Sequence, residues 1–309
     1  MAVANWPHHV LGAPLSSPYF RSSSRKSISL SLRSEDFPGS TIFQLKFGPE
    51  RSIKCSCRCV EDKHSALAAE DFSVLQLDNP WESGRMWSSF SLYLFSMHIP
   101  LSFGGLSVVA RVLHQRTLDP QTEVLSLLVI QMLELSAILW LLRWIVKPEY
   151  KLSIFFQPKN QSNERNWLLA SVLGFGFLVL LVLTTSLLAD QLFGPKDLGN
   201  STLKEILSSG SISVTACMLL YCVVTPLLEE IVYRRFLLTS LASEMKWHQA
   251  VILSSAIFSA SHFSGENFLQ LLLVGSVLGC SYCWTGNLGS SFVIHSMYNA
   301  LILINTFLS

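Results

Sequence analysis

Charge is the scarcest ingredient of this chain. Only 14% of its 309 residues are Asp, Glu, Lys or Arg, where a soluble domain carries about a quarter. That deficit excludes a protein of this size that faces water on every side. A net charge of +1 also argues against a dedicated nucleic-acid binder, which needs clustered basic patches. Seven cysteines are too few and too uneven for a disulfide framework: Cys55, Cys57 and Cys59 cluster together, while Cys217, Cys222, Cys280 and Cys283 sit in apolar runs. Cys280 and Cys283 form a CxxC. Its apolar helical setting, with no second pair and no βαβ context, favours an ordinary structural reading over a redox or metal site. No strand-like alternation is evident, which argues against a β-barrel, and no fixed-period repeat stands out.

Acidic residues are missing altogether up to Ser34. The same stretch carries Arg21, Arg25, Lys26 and Arg33 among many serines, without the continuous apolar core of a secretory signal. This composition reads as an organellar transit peptide of the Ser-rich plastid kind, with a processing site near Ile53-Lys54-Cys55-Ser56. The plain alternative is an N-terminal tail with no address. The chain accordingly divides into residues 1–55 as a chloroplast transit peptide, 56–87 as a polar segment, and 88–309 as a transmembrane domain.

What the chain has in abundance is apolar length. A bilayer-crossing helix needs about 20 mostly apolar residues. Runs of this kind cover residues 88–110, 124–145, 167–189, 212 to beyond 228, 250–263, 268–284 and 288–307. The fifth and sixth are short and need support from neighbours. The expected fold is therefore all-α, a polytopic transmembrane helical bundle of about seven spans. Basic connections run from Arg143 to Arg165 and through Arg234, Arg235 and Lys246. The positive-inside rule puts both on the cytoplasm-like side, which is the stroma of a plastid.

Ionisable side chains at membrane depth cost at least about 2.5 to 3.5 kcal/mol each on insertion scales, so each needs a reason. Glu229 and Glu230 follow an apolar run, and Arg234 lies four residues beyond Glu230, the favourable order for an ion pair on a helix. Glu229 projects about 100° away and is left for other work. Pro226, just upstream, removes a backbone hydrogen bond and predicts a kink. Taken alone, these three charges could simply end a span at the interface. His262 closes Phe258-Ser259-Ala260-Ser261-His262, where a structural hydrogen bond would be the ordinary role. His295 and Asn299 share one face of the last apolar run; two such groups could equally join helices together. Glu134, in the second run, is unexplained by any motif and is expected to pair with an unidentified helix neighbour.

Glu-Glu-x-x-x-Arg, Phe-x-x-x-His and His-x-x-x-Asn, in this order on successive apolar segments, resemble the motifs of the CPBP family, the CAAX protease and bacteriocin-processing or Abi proteins. All three are complete here, over a core at about residues 212–305. The resemblance implies an all-helical intramembrane protease, here a plant organellar member, with a polar cavity in the bilayer. Glu229 and His262 would activate water, His295 and Asn299 would stabilise the oxyanion, and Glu230 with Arg234 would hold the scaffold. The implied mechanism is glutamic and free of metal and cofactor, although Glu229, His262 and His295 together are a possible zinc ligand set. The His-Glu-x-x-His helix of zincins is absent, as is a serine elbow.

The expected function is intramembrane endopeptidase, its partners the lipid bilayer and a membrane-associated protein or peptide substrate, its location a chloroplast membrane, thylakoid or inner envelope. The alternative is a non-proteolytic scaffold that binds or stabilises other membrane proteins. A transporter would show broken helices in corresponding halves, and only the Pro226 interruption is evident. One geometric condition attaches to the site. If the Glu-bearing helix ended at Leu228, Glu229 and His262 would lie at opposite faces; they can meet only if that helix continues past Leu241 or its neighbour is displaced in depth.

Overall fold

The computed structural model describes residues 72–75, 81, 84–147, 165–194 and 201–308. They belong to one of two compact units, the one that includes His64–Ser309. The transit-peptide reading of residues 1–55 lies outside them. Among the described residues there are eight helices and no strand, only an isolated bridge between Trp81 and Val146.

The helices are α1 (Met86–Val112), α2 (Pro120–Ile145), α3 (Trp167–Phe193), α4 (Ser201–Ser208), α5 (Ser211–Glu244), α6 (Trp247–Ser261), α7 (Phe268–Thr285) and α8 (Leu288–Leu308). Every one of the seven apolar runs is helical. Six helices, all but α4 and α6, are long and apolar enough to cross a membrane. The chain is thus a multi-pass helical membrane protein. The 15 residues of α6 reach only about 22 Å, short of the roughly 30 Å hydrocarbon layer, so the expected count of seven becomes six by length. The stretch between α3 and α5 contains the short helix α4.

Local chemistry sets several helix starts. Asp119 caps α2 by accepting from Thr122 N at 3.0 Å, and Pro120 takes the first helical position, where no N–H is needed. That hydrogen bond holds the exposed Asp119 carboxyl below its usual range. Asn166 caps α3 by accepting from Leu168 N and Leu169 N. At the other end of α2, exposed Trp140 and Trp144 flank Arg143, the pairing of aromatic and basic residues found at membrane interfaces.

α5 is the axis on which the site is built. It runs unbroken for 34 residues, about 51 Å, and packs against α2, α6 and α8. Glu229 and Glu230 are therefore mid-helix, and the geometric condition above is met in the first of its two ways, by a helix that continues past Leu241. The helix takes up Pro226 by widening: π-helical turns occupy Leu220–Val224 and Glu230–Leu238, on either side of it.

α6 and α7 pack most intimately. A Cβ on Gly275 would lie 3.0 Å from the Ser255 side chain and 3.2 Å from its Cα, and one on Gly279 would lie 3.1 Å from Val251. Two glycines one turn apart let the backbones approach, the usual device for joining helices where burial in lipid gives no hydrophobic drive. This contact supports the short α6, and so fixes where Phe258 and His262 stand.

Candidate active site

The six residues singled out by sequence lie on α5, at the C-terminal end of α6 and on α8, and the side chains of Glu229, Glu230, Arg234, His262 and His295 form a connected network. Two adjacent carboxylates on α5 behave differently because the helix turns them apart. Glu230 and Arg234 are buried, with Arg234 Nε 3.3 Å from Glu230 Oε2. The remaining Glu230 oxygen, Oε1, lies 3.0 Å from His295 Nδ1. Glu229 keeps 14% of its side chain exposed and His262 15%, so the polar centre is accessible on their side. Glu229 Oε1 is 3.6 Å from His262 Nε2, and Oε2 is 3.5 Å from His295 Nε2.

Ring tautomers follow from these neighbours. His262 Nδ1 is 2.7 Å from the Phe258 carbonyl. A carbonyl only accepts, so Nδ1 carries the proton and Nε2 is the ring's basic nitrogen, facing Glu229. His295 stands between two carboxylates and touches each with one nitrogen. The backbone hydrogen bond that holds His262 is the structural role expected of a lone histidine; here it also aims the ring at Glu229.

Asn299 is engaged elsewhere. Its Nδ2 donates to the Tyr221 carbonyl at 2.9 Å. The reason lies in α5: Thr225 N–H bonds to Leu220 O, five residues back. The next donor in that register is Pro226, which has no N–H, and its acceptor would have been Tyr221. Asn299 supplies the missing donor.

Phe258 is the platform of the site. The Arg234 guanidinium lies over its ring at 4.7 Å, and the rings of His262, His295 and Tyr233 meet it edge-on at 4.6, 6.2 and 5.2 Å. The terminal Arg234 nitrogens are buried without a hydrogen-bond acceptor, so the π face and Glu230 together stabilise the cation. The phenylalanine was visible in sequence only as a letter in a motif.

Among the described residues, no group of three His, Cys, Asp or Glu side chains is arranged to hold a metal ion. Cys217, Cys222, Cys280 and Cys283 are free thiols. Sequence reasoning missed His98. It meets Glu134, the unexplained carboxylate of α2, at 2.8 Å. A histidine inside the first apolar run, with a glutamate inside the next, was the signal available.

Fold and site together define a polytopic membrane protein with a Glu–His network among its helices. Residues 211–301 match the family described as Type II CAAX prenyl endopeptidase Rce1-like. The chain is also 24% identical over 140 residues to the membrane-embedded CAAX protease MroQ of Staphylococcus aureus (strain USA300). That match covers 43% of this chain and 56% of the relative, so the chain spans little more than half of the relative's length. No solved structure matches the chain.

Proposed function

We propose that this protein is an intramembrane endopeptidase that hydrolyses a peptide bond in a membrane-associated protein, with Glu229 as general base. The observation that carries the reading is the division between the two glutamates. Glu230 is engaged by Arg234 and His295, whereas Glu229 is accessible and faces two imidazole nitrogens at 3.5 and 3.6 Å. Separations of that size are at or beyond the limit of a direct hydrogen bond, which leaves the carboxylate free to meet a water brought in with substrate.

In the proposed mechanism Glu229 and His262 Nε2 orient the water, and Glu229 takes its proton as the oxygen attacks the scissile carbonyl. His295, as donor, stabilises the oxyanion; one preorganised donor of this kind is worth about 3 to 4 kcal/mol. Glu229 then returns the proton to the leaving nitrogen as the C–N bond breaks, and the carboxylate is restored. Asn299 acts by positioning α8 against α5. The transit-peptide-like composition of residues 1–55 supports a chloroplast membrane as the site of action; a prenylated C-terminal substrate fits that address poorly.

The second reading is a non-proteolytic scaffold. It is favoured by the engagement of Asn299 with Tyr221, which leaves one fewer free donor for an oxyanion. The experiment is to express wild type and Glu229→Gln in cells lacking the protein and compare membrane-protein fragments. Fragments made by the wild type alone are expected and would name the substrate. Full rescue by Glu229→Gln with identical fragments would leave the scaffold standing.

A further inference from the structure

α6 ends at Ser261, and the last turn of a helix leaves carbonyls without an N–H four residues on. The His262 N–H bonds to Ser259 O, three residues back rather than four, at 3.3 Å. The Phe258 carbonyl takes side chains as its donors instead. Ser261 Oγ donates to it at 2.8 Å and His262 Nδ1 at 2.7 Å, which occupies both of its lone pairs. Ser261 Oγ accepts in turn from Tyr233 Oη on α5 at 2.5 Å, and both of these side chains are buried. A continuous chain of hydrogen bonds thus leads from the Tyr233 hydroxyl to the ring of His262.

The two ends of that chain adjoin the reacting pair. Tyr233 stands four residues beyond Glu229 on α5, on the same side of the helix, and Ser261 immediately precedes His262. The Tyr233–Ser261 bond therefore joins the same two stretches that meet across the 3.6 Å between Glu229 Oε1 and His262 Nε2. The other contacts here are less directional. Tyr233 meets the Phe258 ring edge-on at 5.2 Å, and Arg234 lies over that ring at 4.7 Å. A phenylalanine at 233 would serve such packing equally well; the hydroxyl is the part that packing does not require. The end of α6 also needs holding. Phe263 leaves the helix with a φ of +51°, a conformation that a bulky residue keeps only where its surroundings fix it. Ser259 Oγ ties this end to Phe268 O of α7 at 2.5 Å, and Tyr233 ties it to α5.

We propose that Tyr233 is a positioning residue of the site: its hydroxyl, through Ser261 and the Phe258 carbonyl, sets the distance and angle at which His262 meets Glu229. This role rests on the proteolytic reading. Glu229 and His262 Nε2 must address one water together, so their separation decides whether that water is aimed at the scissile carbonyl. A misplacement of about 1 Å in such a pair costs on the order of a hundred-fold in rate. Tyr233 is buried and acts through His262, without touching substrate.

The test measures kcat, KM and thermal unfolding of the full chain in detergent. The probe is a synthetic peptide spanning the cleavage site that the fragment comparison names. The variants are Tyr233→Phe, Ser261→Ala and the double Tyr233→Phe/Ser261→Ala, with Glu229→Gln as the blank. Tyr233→Phe keeps its ring against Phe258 and leaves Ser261 bonded to the carbonyl, so it should melt within a few degrees of wild type. Ser261→Ala strands a buried hydroxyl and should melt lower, whereas the double variant removes both groups and should recover most of that loss. Rate is expected to follow a different order. All three variants should lose roughly ten- to a hundred-fold in kcat per folded molecule, with KM unchanged. Wild-type kcat in Tyr233→Phe overturns the proposal. So does a rate that follows stability, lost in Ser261→Ala and regained in the double variant. A raised KM at unchanged kcat also overturns it, by placing the hydroxyls against substrate. Equal cleavage by wild type and Glu229→Gln would overturn the proteolytic reading itself, and this role with it.

Discussion

His295 Nδ1 lies 3.0 Å from Glu230, which turns its other nitrogen toward Glu229 at 3.5 Å. One imidazole on α8 therefore couples two adjacent carboxylates on α5 that differ in every other respect. Glu230 is buried and paired with Arg234; Glu229 is partly open and paired with no permanent cation.

The first prediction separates these two glutamates. Glu229→Gln should fold as wild type does and lose cleavage. Glu230→Gln should lower stability by about 3 to 5 kcal/mol, because it leaves the buried Arg234 without its counter-charge. Thermal unfolding in detergent, run beside the fragment assay, checks both. Equal melting temperatures for the two variants would contradict the division of labour.

Pro226 and Asn299 should be energetically coupled. Asn299→Leu strips the Tyr221 carbonyl of its donor, a loss of about 1 to 3 kcal/mol for a buried acceptor. In a Pro226→Ala background the backbone regains an N–H at residue 226, and the same substitution should cost clearly less. A double-mutant cycle on unfolding measures the coupling. Strict additivity would show that the proline is not the reason for the asparagine.

Arg234→Lys should be far from conservative. A lysine keeps the charge but not the flat guanidinium stacked 4.7 Å above Phe258. Phe258→Leu removes the other half of the same contact, worth about 2 kcal/mol when desolvated. Each single variant is expected to melt lower than wild type. The double variant should lose less than the sum of the two.

At Gly275 any larger side chain must push α6 away from α7, since even a Cβ meets Ser255 Cα at 3.2 Å. Gly275→Leu should displace His262 and abolish cleavage while much of the helical signal in circular dichroism persists. Gly176, on the exposed face of α3, has nothing within 4 Å of a Cβ, so Gly176→Ala should be silent. Activity retained in Gly275→Leu would show that the close packing does not position the site.

Much of the architecture was legible because lipid imposes a simple rule on sequence. Apolar runs of spanning length must be helices, and all seven runs are helical. The rule fails where a helix is supported by protein rather than by length, as in α6, whose 15 residues lean on the glycines of α7. It is silent about α4, which is too short to announce itself.

The candidate site was legible for the same reason. Charge inside an apolar run is costly, so Glu229, Glu230, Arg234, His262, His295 and Asn299 stood out as anomalies, and the spacing of Glu230 and Arg234 already stated their pairing. The sequence alone determined which side chains needed partners at membrane depth. Only the tertiary structure decided who those partners are: Asn299 with a carbonyl that a proline orphaned, His295 with both carboxylates, and Glu134 with a histidine 36 residues earlier. The physical reason is that periodicity along one helix fixes which face a side chain occupies. Partners across helices depend on relative rotation and depth, which π turns and glycine contacts set in three dimensions.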